Sequence, residues 1–158
     1  MRLIIILTIS MTLIICSAIS GQTTKPTNYK IEIRLWGLLI GGDKTWTITQ
    51  DSISIIQKNF KDSTDTYSKM LSSADNQRII ETLTKVDLRK IKNEYVNNSA
   101  PDDMGEYDFK ITVDTQTKEF HIYRVKVDEI FNLVKQINGL LPDKYQIGYN
   151  VEYIGHKK

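Results

Sequence analysis

The sequence predicts an α+β domain: a mainly antiparallel sheet of about six to seven strands with two main helices packed on one face. Three observations lead to this fold class. Apolar and polar residues alternate over several short segments, which is typical of strands with one buried face. These segments follow one another across short polar turns rather than singly between helices, which favours antiparallel pairing. Two other segments carry apolar residues at helical spacing.

The first predicted elements are strands. Period-two alternation begins at Tyr29 and continues to Leu35, and Trp36 then falls on the polar side of the strand. The segments KTWTITQ and ISIIQKNF are joined by Asp51-Ser52, which suits a two-residue hairpin connection although it lacks the favoured glycine. The segment YSKML adds a short strand.

Helical spacing follows these strands. A helix is predicted after Ser72-Ser73, and either serine is a suitable N-cap. Its apolar stripe consists of Ile79, Ile80, Leu83 and Val86. A second, short helix is predicted after Asp87 from the positions of Leu88, Ile91 and Tyr95.

The second half of the chain predicts a hairpin, a helix and a final strand. The hairpin pairs residues 106–113 with residues 118–125. Asp128 is the predicted N-cap of the clearest helix, which Pro142 ends. Strict alternation over residues 145–153 predicts the last strand.

The N-terminus has the three-part layout of a secretory signal. Arg2 precedes an apolar run over residues 3–15, and small residues follow at Ser17, Ala18 and Ser20. The run is shorter than the roughly 20 apolar residues that a membrane-spanning helix needs. We therefore predict export to the periplasm, the cell envelope or the extracellular space.

Cleavage before Gly21 defines the domain organisation. Residues 1–20 are then a signal peptide, residues 21–28 a flexible lead, residues 29–154 a single α+β domain and residues 155–158 a basic tail. The remaining chain of about 140 residues is long enough to bury about two thirds of its surface, so one hydrophobic core suffices.

An alternative reading concerns Cys16, the only cysteine. The residues before it resemble a bacterial lipoprotein signal, in which the cysteine is kept and lipidated. Such signals normally have a small residue directly before the cysteine, and this chain has Ile15 there. We therefore favour a soluble exported product, and expect membrane attachment only if Cys16 carries a lipid.

Charge and composition argue against several function classes. Loss of Arg2 lowers the formal net charge from +2 to near neutrality, so no basic footprint for a nucleic-acid partner is expected. Without Cys16 the chain has no thiol, and its two histidines do not form an H-E-x-x-H motif, so no metal or other cofactor is predicted. The segment GGDKT also lacks the spacing of a phosphate-binding loop.

The candidate binding residues surround a glycine-containing loop. They are Trp36, Leu38, Leu39, Ile40 and Trp46. An exposed apolar loop with aromatic residues would form an interaction surface. The alternative is that the loop folds back onto the core, where tryptophan is on average well buried.

The function expected from these features is non-enzymatic protein binding. The partner would be another exported or envelope protein, with this chain acting as an inhibitor, an immunity-type protector or an envelope accessory factor. Its contact surface would be residues 36–46 and the open face of the sheet. The alternative is a small hydrolase or glycan-binding module that uses Asp103 and Glu106 with His121.

Overall fold

A computed structural model describes residues 28–37, 42–59, 63–99 and 105–150. Over these ranges it contains a seven-stranded, mostly antiparallel sheet and two α-helices, which confirms the predicted α+β class. The predicted signal peptide, nearly all of the lead and the basic tail lie outside the described residues. No helix within the described ranges is long and apolar enough to cross a membrane.

The secondary-structure elements are given in chain order. They are β1 (Tyr29–Trp36), β2 (Gly42–Thr49), β3 (Ser52–Asn59), β4 (Thr64–Met70), α1 (Ser73–Leu83), β5 (Glu94–Val96), β6 (Glu106–Val113), β7 (Gln116–Tyr123), α2 (Asp128–Asn138) and a short 3₁₀ helix (Asp143–Tyr145).

Hairpin connections determine most of the sheet. The strand order is β4-β3-β2-β1-β6-β7-β5, so β1 lies in the middle and pairs with both β2 and β6. Every pairing is antiparallel except that of β5 with β7, which is parallel. The strands β1 to β4 form an uninterrupted meander of hairpins, as the run of successive strand patterns predicts. The turn between β2 and β3 is Gln50-Asp51, so its predicted position at Asp51-Ser52 was wrong by one residue.

One face of the sheet forms the hydrophobic core. Alternate residues of the central strands are buried there, and both helices pack on this side. The largest contributors are Trp46, Tyr29, Tyr107, Tyr149, Phe109, Ile31 and Ile33. The helices add Ile79, Ile80 and Leu83 from α1 and Ile130, Leu133, Val134 and Ile137 from α2.

The opposite face of the sheet is polar and divides into two halves. Strands β1, β6 and β7 present charged residues, so that Arg34, Asp108 and His121 form one row across three strands. We call this part the charged half. Strands β2, β3 and β4 present mainly hydroxyl groups on this face. We call this part the hydroxyl half. Its central residues are Thr45, Thr47, Ser54, Thr66 and Ser68.

The short helix predicted after Asp87 is absent, and this prediction was wrong. The chain forms turns there and then enters β5, which contains Tyr95. The Asp87 carboxylate accepts a hydrogen bond from the backbone N–H of Arg89, which stabilises a turn rather than a helix. Leu88 and Ile91 are nevertheless buried as their apolar character predicts.

The strand predicted over residues 145–153 is also wrong for the part that the structure describes. Residues 146–150 contain no strand, although Ile147 and Tyr149 are buried. The Asn138 side chain donates to the Ile147 carbonyl at 2.8 Å and accepts from its N–H at 2.7 Å. A side chain of α2 thus satisfies the backbone groups that a neighbouring strand would otherwise bind.

The two helix starts differ from each other. Ser72 caps α1 as predicted, because its hydroxyl accepts a hydrogen bond from the backbone N–H of Asp75. Asp128 does not cap α2: Val127 holds the N-cap position without a side-chain hydrogen bond. Asp128 lies instead in the first turn, where a carboxylate interacts favourably with the helix dipole.

Candidate functional site

The predicted binding residues do not share one surface. Trp46 is fully buried, and its indole N–H donates to the Tyr145 carbonyl at 2.7 Å, so Trp46 belongs to the core. Trp36 is 37% exposed on the open sheet face. Leu38, Leu39 and Ile40 lie outside the described residues.

Trp36 is held in one orientation by a carboxylate. It is the last residue of β1, opposite Glu106 of β6. Its indole N–H donates to Asp108 Oδ2 at 2.7 Å. Hydrogen bonds to an ionised acceptor are stronger than neutral ones, so this contact fixes the ring at the edge of the charged half.

His121 lies between two carboxylates. Its Nδ1 is 2.9 Å from Asp108 Oδ1, and its Nε2 is 3.2 Å from Glu106 Oε2. Carboxylates only accept hydrogen bonds and a neutral imidazole has one N–H, so both contacts are hydrogen bonds together only in the imidazolium form. Trp36, Asp108, His121 and Glu106 therefore form one chain of polar contacts, which we call the His121 cluster.

A shallow depression of about 620 Å³ begins beside this cluster and continues along the charged half. Its charged lining consists of Glu32, Arg34, Asp108, Lys110, Glu119 and His121. The depression is open to solvent, and side chains of both signs alternate along it.

Two of the charged residues in the depression, Lys110 and Arg34, are paired across neighbouring strands. Lys110 contacts Glu119 at 2.7 Å, and Arg34 contacts Asp43 at 2.5 Å. The hydrogen bond to Glu119 raises the pKa of the Lys110 ammonium above its usual value. The surface is therefore ordered by cross-strand ion pairs although it carries little net charge.

The cluster is poorly arranged for acid–base catalysis. A general base needs a nitrogen directed toward the reacting proton, and both ring nitrogens of His121 face carboxylates of the protein itself. Asp103, which the catalytic alternative also requires, lies outside the described residues. Among the described residues no group of three or more histidine, cysteine, aspartate or glutamate side chains is arranged to hold a metal ion.

A second polar cluster lies on the helix-covered side of the sheet, around Trp46. The Lys44 ammonium is 4.9 Å from the centroid of the Trp46 ring and donates to the Lys144 carbonyl at 3.0 Å. Burial lowers the pKa of Lys44, and the nearby Asp65 partly opposes this effect. The Tyr145 ring stacks on Tyr67 with centroids 4.5 Å apart.

No family model matches the sequence, and no curated protein matches it at a significant level.

Sequence reasoning missed Asp108 as the residue that connects the site. The alternation of apolar and polar residues in β6 places Asp108 on the polar face. Its contacts to Trp36 and His121, however, depend on the register of three strands. The sequence signal is the β6–β7 hairpin, but its predicted partner strand over residues 118–125 gives the wrong register. The observed turn is Asp114-Thr115 and β7 begins at Gln116, which sets Asp108 opposite His121.

Proposed function

We propose that this protein is an exported, non-enzymatic domain that binds another protein through the charged half of its open sheet face. The single observation that carries the proposal is Trp36, a partly exposed tryptophan that Asp108 holds in one orientation. Tryptophan is among the residues that most often dominate the binding energy of protein interfaces. A ring that is already held in place loses little conformational freedom on binding.

The lining of the depression favours a protein as the partner. Small-molecule sites are concave and mostly apolar, whereas this depression is open and lined by charges of both signs. Alternating positive and negative side chains are complementary to a protein surface with the opposite arrangement. Arg34, beside Trp36 on the same face, is a second residue type that is enriched at interfaces.

The export part of the proposal depends on the N-terminal pattern alone. A positive residue, an apolar run and small residues before Gly21 support removal of residues 1–20 and a site of action outside the cytoplasm. An inhibitor, an immunity-type protector and an envelope accessory factor all act by binding, and none of them needs a catalytic group.

The test is affinity capture followed by measurement with the purified partner. The chain without residues 1–20 is immobilised and exposed to envelope and secreted fractions of its own cells. We expect Trp36→Ala and Arg34→Ala each to weaken binding of the captured protein by about 30-fold, as for a central interface residue. Thr47→Ala, on the hydroxyl half of the same face, is the matched control and should bind like the wild type.

Two results would contradict the proposal. One is equal retention of the partner by all variants, which would exclude the charged half as the contact surface. The other is recovery of the chain alone from every fraction. Binding of an oligosaccharide that is lost in Trp36→Ala would instead support the glycan-binding alternative.

A further inference from the structure

The outer edge of β4 is a regular strand edge that no bulge, proline or glycine interrupts. In the part of the chain that the structure describes, no strand pairs with this side of β4. The ladder to β3 continues from Met70 to Thr64 without a bulge, and β4 contains neither proline nor glycine. Natural edge strands commonly carry such features because an open edge is a template for another strand.

The hydrogen bonds at the two ends of the β3–β4 hairpin show which backbone groups face outward. Leu71 N–H donates to Asp51 at 2.8 Å, and Asn59 N–H donates to Ser63 at 2.9 Å. Both bonds continue the β3–β4 register, and antiparallel strands alternate between bonded and non-bonded pairs. The even-numbered residues of β4 therefore direct their N–H and C=O groups to the free edge. They are Thr64, Thr66, Ser68 and Met70.

We propose that a second copy of this chain binds at this edge, with the two β4 strands antiparallel about a two-fold axis at Tyr67. In this register Thr66 lies opposite Ser68 of the second copy, and Thr64 lies opposite Met70. Each outward-facing residue of β4 then meets another outward-facing residue, as the hydrogen-bonding pattern requires. The two sheets join into one continuous sheet.

Charge complementarity selects this register. Asp65 lies opposite Lys69 of the second copy, and the symmetry repeats the pair. Both side chains point to the helix-covered side and remain about one third exposed, at 35% and 34%. A shift of two residues in either direction separates the opposite charges. Directly opposite ion pairs stabilise antiparallel strands, whereas like charges destabilise them.

The side chains at the axis and at the end of the strand fit the same arrangement. Tyr67 would meet its own copy at the axis, so that the two Tyr67–Tyr145 stacks form a row of four rings. Met70, which is 74% exposed, would gain a neighbour in Thr64 of the second copy. This edge is distinct from the charged half, so a dimer leaves the proposed binding surface accessible.

The affinity should be modest, because one pair of strands buries less area than a standard interface. We expect a dissociation constant in the range of about 1–100 μM. Analytical ultracentrifugation of the chain without residues 1–20 across this concentration range measures it directly.

Charge exchange separates the proposed contact from effects within one chain. Asp65→Lys and Lys69→Asp each place like charges opposite one another and should weaken the dimer by about tenfold or more. The double variant Asp65→Lys/Lys69→Asp restores opposite charges and should return to within about threefold of the wild type. The contacts of these residues within the chain, to Lys144 and Asp75, are not restored by the double variant, so only pairing between copies predicts recovery.

The matched control swaps the charges of Lys110 and Glu119, a cross-strand pair in the charged half, and should leave dimerisation unchanged.

Amide hydrogen exchange gives a second readout. The N–H groups of Thr66 and Ser68 should become protected as the concentration rises, while that of Tyr67 is protected throughout. A chain that stays monomeric up to about 1 mM overturns the proposal. The proposal is also overturned if the double variant Asp65→Lys/Lys69→Asp does not recover dimerisation. It is likewise overturned if dimer formation leaves the amide hydrogen exchange of Thr66 and Ser68 unchanged.

Discussion

His121 Nδ1 lies 2.9 Å from Asp108 Oδ1, and the other oxygen of the same carboxylate accepts the indole N–H of Trp36. One aspartate in β6 thereby joins a residue of β7 to a residue of β1. The three side chains hold one another in place, so removal of one is expected to affect the others. This coupling makes the surface preorganised, which is the property that the proposed binding function uses.

The coupling between His121 and Asp108 can be measured by a double-mutant cycle. We expect His121→Ala and Asp108→Ala, compared with the double variant, to give an interaction free energy of about 1 kcal/mol in urea unfolding. The pair is only partly exposed, so it should exceed the coupling of the more exposed Lys110 and Glu119 pair. A coupling of zero, or one no larger than that of the control pair, would contradict the description of the cluster as a unit.

The two tryptophans should differ sharply in their effect on stability. Trp46→Ala removes a fully buried ring and its hydrogen bond to Tyr145, and should lower the free energy of unfolding by about 3–5 kcal/mol. Trp36→Ala removes a partly exposed ring and should cost about 1 kcal/mol. Chemical denaturation of both variants gives the comparison.

Fluorescence provides an independent check on the same two residues. Trp36→Phe leaves Trp46 as the only tryptophan, and its emission should resist quenching by acrylamide. Trp46→Phe leaves Trp36, whose emission should be quenched more readily because 37% of the residue is exposed. Equal quenching of the two variants would show that the burial assigned to these residues is wrong.

Local alternation predicted most of the sheet because each central strand has one buried and one wet face. The strand beginning at Tyr29 and the presence of the β2–β3 and β6–β7 hairpins follow from patterns within a few residues. The exact turns were predicted wrongly: they are Gln50-Asp51 rather than Asp51-Ser52, and Asp114-Thr115 rather than residues 114–117. Ser72 as a helix cap is equally local. These features need no knowledge of distant parts of the chain.

The failed predictions depend on partners that are distant in sequence or on turn chemistry. Ile147 and Tyr149 alternate in burial like strand residues, but Asn138 of α2 binds the Ile147 backbone and the Tyr149 hydroxyl donates to the Val125 carbonyl. Burial periodicity alone cannot tell such a segment from a strand. The sequence analysis grouped Glu106 with His121, which lie in contact, but it missed the connection to Trp36 for a similar reason, because Trp36 is separated by 72 positions from its acceptor Asp108.

Stability at high pH should depend on Tyr29. Burial, followed by the nearby Asp51 carboxylate, raises the pKa of Tyr29 to about 12, compared with about 10 in an unfolded chain. Because the folded-state pKa is the higher one, the stabilising contribution is complete below pH 10 and is lost as the pH rises through 12. The wild type should therefore lose stability over this interval.

Tyr29→Phe isolates this contribution. The variant lacks the titrating hydroxyl and its hydrogen bond to Asn76, which measures 2.9 Å. The difference in unfolding free energy between wild type and variant should be constant below pH 10 and should shift against the wild type between pH 10 and 12. A difference that does not change with pH over that range would show that the hydroxyl of Tyr29 is not protected from ionisation.

Two glycines should respond in opposite ways to the same substitution. Gly42 begins β2 with φ at +145°, and a Cβ there would lie 1.8 Å from the Lys58 carbonyl oxygen. Gly42→Ala should therefore lower the free energy of unfolding by about 2–4 kcal/mol.

Gly139 ends α2 with φ at −62°, and the nearest atom to a Cβ added there would be 3.4 Å away. Gly139→Ala should raise stability by about 0.4–1 kcal/mol because it restricts the unfolded chain without a clash. Urea unfolding of the two variants compares an identical chemical change in two backbone settings, and a tolerated Gly42→Ala would mean that the close approach of β2 and β3 at this position is wrong.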